Sequence, residues 1–281
     1  MSMKIYTCLN GEFRELNSAE VPVHQAGIYY GAGCFETILY TSGSLQYWEE
    51  HYSRLCKGLR WLGIEDEQLP DRINIHNNIL SLLQANSLQD RRAKVRIQCS
   101  LLNEQGYSQH RQPEYFTWIV TEELSVREGP YTLKSVPTRV IPGESRPADL
   151  KLSNMLHFRE AFRQAQRAGF KDALLFNSSR LVAETAIANI FWIREETIYT
   201  PSAACDILPG IMRKNVMEFL HSELNLTVKE GEFPPEALYE ADAVWITNSL
   251  MPVKPVERID NIHYNPDHSV LNRIVQNFTH L

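Results

Sequence analysis

Cysteine is sparse in this chain and badly placed for cross-linking. The five thiols, Cys8, Cys34, Cys56, Cys99 and Cys205, are odd in number, scattered and without a CxxC pair, which argues against a disulfide framework and a structural zinc site. No run approaches the roughly 20 apolar residues that a membrane span needs, and the opening MSMKIYTCLNGEFREL has no apolar stretch of signal-peptide length. Positive charge is in deficit too: 28 Lys and Arg against 34 Asp and Glu leave a net charge of −6, with no basic block to hold nucleic-acid phosphates. These absences predict a cytoplasmic protein that works on small molecules, with neither nucleic acid nor membrane as a partner.

Common catalytic signatures are missing as well. There is no GxSxG elbow, no HExxH helix and no GxxxxGK[ST] phosphate loop. The Gly31-Ala32-Gly33 triplet is too short for a dinucleotide fingerprint and reads as a tight turn before a buried strand. The nine histidines lack ligand-like spacing, so no metal is expected, and His51 reads as a partly buried helix residue.

What is present is an ordinary globular composition, 43% hydrophobic and 22% charged, over 281 residues, about two domains' worth of chain. Residues 2–9 and 12–16 flank Asn10-Gly11, a hairpin signal because both residues tolerate positive φ; 34–40 and 44–48 repeat the pattern around Ser42-Gly43. Trp48, Tyr52, Leu55, Leu59 and Leu62 then recur on one helical face that ends near Gly63. Residues 70–86 predict a second helix, and 93–101 and 115–121 two strands. The charged segment 122–130, ending in Gly-Pro, predicts a linker. Beyond it come a strand over 131–141, a helix over 153–168, strands over 172–177, 181–193 and 197–200, a helix over 210–224, a strand over 243–248 and a helix over 268–279. The mixture predicts an α/β (α+β) fold in two domains, 1–121 and 131–281.

Four local features gain weight together. Lys151 stands immediately before an apolar helix. Glu184 is embedded in VAETAIANIFWI, where a buried carboxylate is costly unless it meets a cation or several donors. In DILPGIMR, Gly210 lets the chain turn into a helix whose first amides, at Ile211 and Met212, suit a phosphate. Arg54 carries a planar fork that matches phosphate or carboxylate, and Thr247-Asn248-Ser249 at a strand end adds hydroxyl donors. An aldehyde-bearing, phosphorylated pyridine needs such parts: a lysine, an acid for its ring nitrogen and an anion cradle.

The order YYGAGCFETI, HYSRL, DLKLSNML, VAETAIANIFWI, ILPGIMR and WITNSLMPVKPV resembles the class IV aminotransferases, the fold type IV pyridoxal-phosphate enzymes, over nearly the whole chain. That family includes branched-chain and D-amino-acid aminotransferases and 4-amino-4-deoxychorismate lyases. The resemblance implies a small N-terminal α/β domain and a larger C-terminal mixed-sheet domain that binds pyridoxal 5′-phosphate. It implies Lys151 as the Schiff-base lysine and proton carrier, and Glu184 as the partner of the pyridinium nitrogen. It also implies phosphate ligands in the side chains of Arg54 and Ser249 and the amides of Ile211 and Met212. Lys171 is the rival lysine, just before a strand. Asn189 reads equally as pocket support or as a structural residue. Tyr30, Thr37, Arg96, Tyr107 and Arg146 are candidates for substrate recognition, with Glu36 read as structural.

The reaction implied first is transfer of an amino group from an amino acid to a 2-oxo acid. The alternative is elimination of pyruvate from aminodeoxychorismate to leave p-aminobenzoate, and a third is a non-catalytic protein on the same scaffold. Branched-chain enzymes usually carry a tyrosine five residues after the lysine, where this chain has Leu156. Lyases tend to have arginine before a GYS, where this chain reads NEQGYS; the common Gly-Asp-Gly is Gly31-Ala32-Gly33. The family also implies a homodimer.

Overall fold

The computed structural model describes residues 4–102, 113–125 and 129–279; part of the expected linker and Tyr107 lie outside them. The chain divides into two compact units, Met1–Val126 with Leu150–Asn154, and Arg127–Asp149 with Met155–Leu281.

The first unit begins with strands β1 (Tyr6–Leu9) and β2 (Glu12–Glu15), a hairpin turned by Asn10 and Gly11 at positive φ. The short helix α1 (Ala26–Tyr29), which no sequence period announced, precedes β3 (Gly33–Thr41) and β4 (Ser44–Leu45). Helices α2 (Trp48–Trp61) and α3 (Arg72–Ala85) follow, and β5 (Ala93–Leu102) and β6 (Glu114–Glu123) complete the unit. Asp71 sets the start of α3 by accepting the Asn74 N–H at 2.8 Å. The six strands form an antiparallel sheet in the order β2-β1-β6-β5-β3-β4. One sheet face buries Ile38, Val95, Ile97 and Ile119 against Leu55, Leu59, Ile79 and Leu83 of the helices.

The second unit carries β7 (Tyr131–Arg139), α4 (Leu156–Arg167), β8 (Asp172–Phe176), β9 (Val182–Thr185), β10 (Asn189–Arg194) and β11 (Thr197–Pro201). It continues with α5 (Ile211–Ser222), β12 (Val228–Gly231), α6 (Pro235–Tyr239), β13 (Ala243–Asn248), β14 (Met251–Ile259), β15 (Ile262–His263) and α7 (Ser269–Phe278). Its mixed sheet runs β12-β11-β10-β13-β14-β7-β8-β9, with β15 beside β14. Parallel pairs β7–β8, β7–β14 and β11–β12 sit among antiparallel ones. Alternate residues of β10 and β13 serve opposite faces: Ile190, Trp192, Val244 and Ile246 enter one core, while the register pairs Phe191 with Trp245, their rings stacked at 5.2 Å, and Asn189 with Thr247. Among the described residues no helix is long and apolar enough to cross a membrane.

Two sequence expectations are corrected. The strand expected over 181–193 is two strands, because Thr185 closes a turn: its N–H and hydroxyl both donate to the Ala188 carbonyl, and the Ala188 N–H returns to the hydroxyl oxygen at 2.9 Å. The helix expected from 153 begins at Leu156, and residues 150–154 belong with the first unit, not with 131–281. Backbone pairing causes this: the Phe35 N–H donates to the Lys151 carbonyl at 2.9 Å, the Ser153 N–H to the Gly33 carbonyl at 2.8 Å, and Leu152 bridges Cys34. The pairing needs Gly33, where a Cβ would stand 2.4 Å from the Cys99 carbonyl oxygen and 3.0 Å from Ser153 Oγ. Gly33→Ala is expected to lower stability by roughly 1–3 kcal/mol, the cost of overpacking, read as a fall in Tm by circular dichroism.

Candidate active site

In the first unit, β3 sorts the candidate residues by parity. Cys34, Ile38 and Tyr40 face the core, and Glu36, on that side, is fully buried. A carboxylate there must be compensated, and α2 supplies the compensation because His51 and Arg54, three residues apart, share one helical face. Glu36 Oε1 accepts from Arg54 Nε at 2.7 Å, and Oε2 accepts from Arg54 Nη2 at 2.8 Å and lies 2.6 Å from His51 Nδ1. Burial alone would raise the Glu36 pKa; the charge and hydrogen bonds of Arg54 and His51 outweigh it and hold the carboxyl at about 2. The remaining Arg54 nitrogen, Nη1, is buried without a hydrogen-bond partner among the described residues.

The opposite face of β3 carries Phe35 and Thr37, whose register partners on β5 are Gln98 and Arg96. Lys151 Nζ lies 4.8 Å from the centre of the Phe35 ring, and the Arg96 guanidinium 3.9 Å from it. Arg96 Nη2 donates to Gln98 Oε1 at 2.8 Å, and Gln98 Nε2 donates to Ser153 Oγ at 2.5 Å. This hydrogen-bond chain ties the Arg96 strand to the segment that presents Lys151. Burial lowers the Arg96 pKa against a raising effect of Glu122. Tyr30, at the end of α1, is half exposed.

In the second unit Glu184, on β9, is buried. It accepts from the Leu208 N–H at 3.3 Å to each oxygen and from Asn189 Nδ2 at 3.3 Å. Asn189 Nδ2 also donates to the Leu208 carbonyl at 2.8 Å, so one amide ties β10 to the loop before α5. Gly210 caps α5 with no side-chain hydrogen bond, leaving the first turn at Ile211 and Met212 uncapped. A Cβ at Gly210 would stand 2.2 Å from Asn189 Oδ1. Thr247, the register partner of Asn189, has a buried hydroxyl without a hydrogen-bond partner among the described residues. Ser249 follows in the turn between β13 and β14.

Arg146 is buried; desolvation lowers its pKa and the charge of Glu184 raises it. Its loop is stapled by the Gly143 N–H, which donates to Asp206 Oδ1 at 2.7 Å. The rival lysine, Lys171, donates to the Pro130 carbonyl at 2.6 Å beside the Tyr131 ring, which makes it a brace for the start of β7. The structure thus groups Glu184, Asn189, Gly210 and Thr247, and separately Lys151, Phe35, Thr37 and Arg96. Sequence reading missed the partnership of Glu36 with Arg54. The clue was available: a charged residue inside the apolar strand CFETILY raises the same question as Glu184.

A family model described as Amino-transferase class IV matches residues 33–259. The chain belongs to the class IV aminotransferase family. It is 29% identical over 258 residues to an aminodeoxychorismate lyase of Vibrio harveyi, covering 87% of this chain and 89% of that one. It is also 29% identical over 261 residues to a putative branched-chain-amino-acid aminotransferase of Methanocaldococcus jannaschii, covering 92% and 88%. Its fold matches a branched-chain aminotransferase from the thermophilic archaeon Thermoproteus uzoniensis, solved with norvaline, at a TM-score of 0.90 and 20% identity over 98% of this chain and 94% of that one. The mixed α/β fold with two sheets is therefore that of the class IV enzymes.

Two outcomes follow for this class IV member. Gly210→Ala is expected to destabilise by roughly 1–3 kcal/mol, and Asn189→Ala in the same chain to offset part of that loss because it removes the clashing oxygen; denaturant unfolding of the double-mutant cycle measures the coupling. For Glu36 the folded pKa lies below its ordinary 4.5, so the ionised carboxylate's stabilisation is full above about pH 4.5 and is lost as pH falls through about 2. The stability difference between wild type and Glu36→Gln, roughly 3–5 kcal/mol for a broken buried pair, is expected to be level above that window and to collapse within it.

Proposed function

We propose that the protein is a pyridoxal-phosphate-dependent aminotransferase that moves an amino group from an amino acid to a 2-oxo acid. The observation that carries the reading is the lysine: a backbone hydrogen bond of 2.9 Å from Phe35 anchors Lys151 at the carbonyl, on a chain whose family is that of the aminotransferases. The donors suit a phosphate. Each unit carries groups of the kind that bind phosphate oxygens: in the first, Arg54 Nη1 is buried without a hydrogen-bond partner among the described residues, and in the second the Thr247 hydroxyl is likewise and α5 begins without a side-chain cap.

When bound, pyridoxal phosphate supplies an aldehyde and an electron sink for the bonds at the substrate Cα. In this reading Lys151 would hold the cofactor at its aldehyde, and Nζ would carry a proton to and from the substrate Cα. Glu184, which accepts from the Leu208 N–H and from Asn189 Nδ2, would hold the cofactor's ring nitrogen. Arg54, Ser249 and the Ile211 and Met212 amides bind phosphate. Tyr30, Thr37, Arg96 and Tyr107 meet the substrate. We extend the proposal to a homodimer in the cytoplasm. The exposed apolar run Val23, Ile28, Tyr29 and Tyr30 supports the first, and five free thiols the second.

The second reading, release of pyruvate and p-aminobenzoate from aminodeoxychorismate, is favoured by the Vibrio harveyi relative and by Leu156 in place of tyrosine. The protein supplied with pyridoxal phosphate is expected to develop a visible absorption band that borohydride bleaches and that Lys151→Ala lacks; absence of the band from wild type overturns the cofactor. Loaded protein is then expected to transfer amino groups within a panel of L- and D-amino acids with 2-oxoglutarate. Rapid p-aminobenzoate release without any amino transfer would replace the first reading by the second.

A further inference from the structure

Glu36 is a fully buried carboxylate held by two basic side chains. Its side chain is 1% exposed, and its two oxygens meet three nitrogens, all within 2.6–2.8 Å. The pairing consumes one whole edge of the Arg54 guanidinium, the Nε–Nη2 edge, and leaves Nη1 without a hydrogen-bond partner among the described residues. An arginine on its flexible stem surrenders rotamer freedom whenever it grips a ligand; here that freedom is already gone before any ligand arrives. The arrangement also has an electrostatic consequence. A carboxylate beside an anion-binding guanidinium cancels its charge, so an anion meeting Arg54 is held by the direction of the Nη1 donors more than by net attraction.

We propose that Glu36 is a positioning residue that, backed by His51, locks the Arg54 guanidinium so that Nη1 alone is presented to the phosphate of the bound cofactor. The proposal rests on the reading of Arg54 as a phosphate ligand. Glu36 touches neither phosphate nor substrate; it acts through Arg54. It therefore governs the preference for a phosphorylated ligand over its unphosphorylated counterpart and leaves the contribution of the aldehyde and ring unchanged.

The test compares two probes, pyridoxal 5′-phosphate and pyridoxal, titrated by tryptophan fluorescence into full-length wild type, Arg54→Lys, Glu36→Asp and His51→Gln, each freed of cofactor. Glu36→Asp keeps the charge and shortens the reach, which avoids stranding a buried guanidinium, and His51→Gln keeps a donor near Glu36. The affinity ratio of the two probes is expected to fall about tenfold in Arg54→Lys and in Glu36→Asp, the scale of one charge-assisted hydrogen bond, and about threefold in His51→Gln. Weakening both probes equally, with an unchanged ratio, would make Glu36 a structural residue and overturn the proposal. An unchanged ratio in Arg54→Lys would remove its base. If Glu36→Asp loses its folded circular dichroism, His51→Gln decides alone, and an unchanged ratio there overturns the proposal. Failure of wild type to bind either probe would overturn the cofactor reading itself, a result separate from a wild type that binds both and variants that keep its preference.

Discussion

The backbone pairing between Gly33–Phe35 and Lys151–Ser153 is the constraint that fixes the Lys151 segment within the first unit. Two N–H···O=C bonds of 2.8 and 2.9 Å take a lysine from the far part of the chain and fix its position against β3, on the side that carries Phe35. A backbone contact positions a side chain more firmly than a side-chain contact does, because it removes the freedom of the main chain before any rotamer is chosen. Glycine is needed at position 33 for the same reason: the approach of three chain segments leaves no volume for a Cβ.

Two buried glutamates show how differently a fold can accommodate the same group. Glu36 meets two basic side chains at short range and is held far into its ionised form. Glu184 meets neutral donors at 3.3 Å, a backbone N–H and an asparagine amide, with Arg146 contributing its field. The first arrangement is a closed network whose effect falls on Arg54. In the second, a backbone amide and an asparagine amide are among the groups that hold the carboxylate. Asn189 and Gly210 extend this second arrangement to the start of α5, since the amide that reaches Glu184 also reaches Leu208 and occupies the space a Cβ at Gly210 would fill.

Regular elements were legible wherever periodicity was strong. Leu55 and Leu59 marked the buried face of α2, and the Ser42-Gly43 turn between two apolar runs marked β3 and β4. Short elements such as α1, β12 and α6 carried too few residues for a period to register. The break within 181–193 was hidden because a turn made by a threonine hydroxyl needs neither glycine nor proline. Of the site, Lys151, Glu184, Arg54 and the Gly210 turn stood out as chemistry-bearing groups in unusual settings. Glu36 carried a clue of the same kind, a charge within an apolar strand, but its partners lie on a helix fifteen or more residues away and become visible only once β3 and α2 pack together.

Residue types and their order along the chain therefore determined the class of this protein: a lysine, a buried carboxylate, an arginine and a glycine-opened helix, in a succession that resembles one enzyme family. Tertiary structure alone decided which unit owns the lysine, which lysine is a brace, and that Arg54 is held by Glu36 before it can meet any ligand. The physical reason is that chemistry is a property of side chains, readable one residue at a time. Ownership and orientation come from pairings between segments far apart in sequence, here β3 with residues 151–153 and with α2, and no local pattern encodes them.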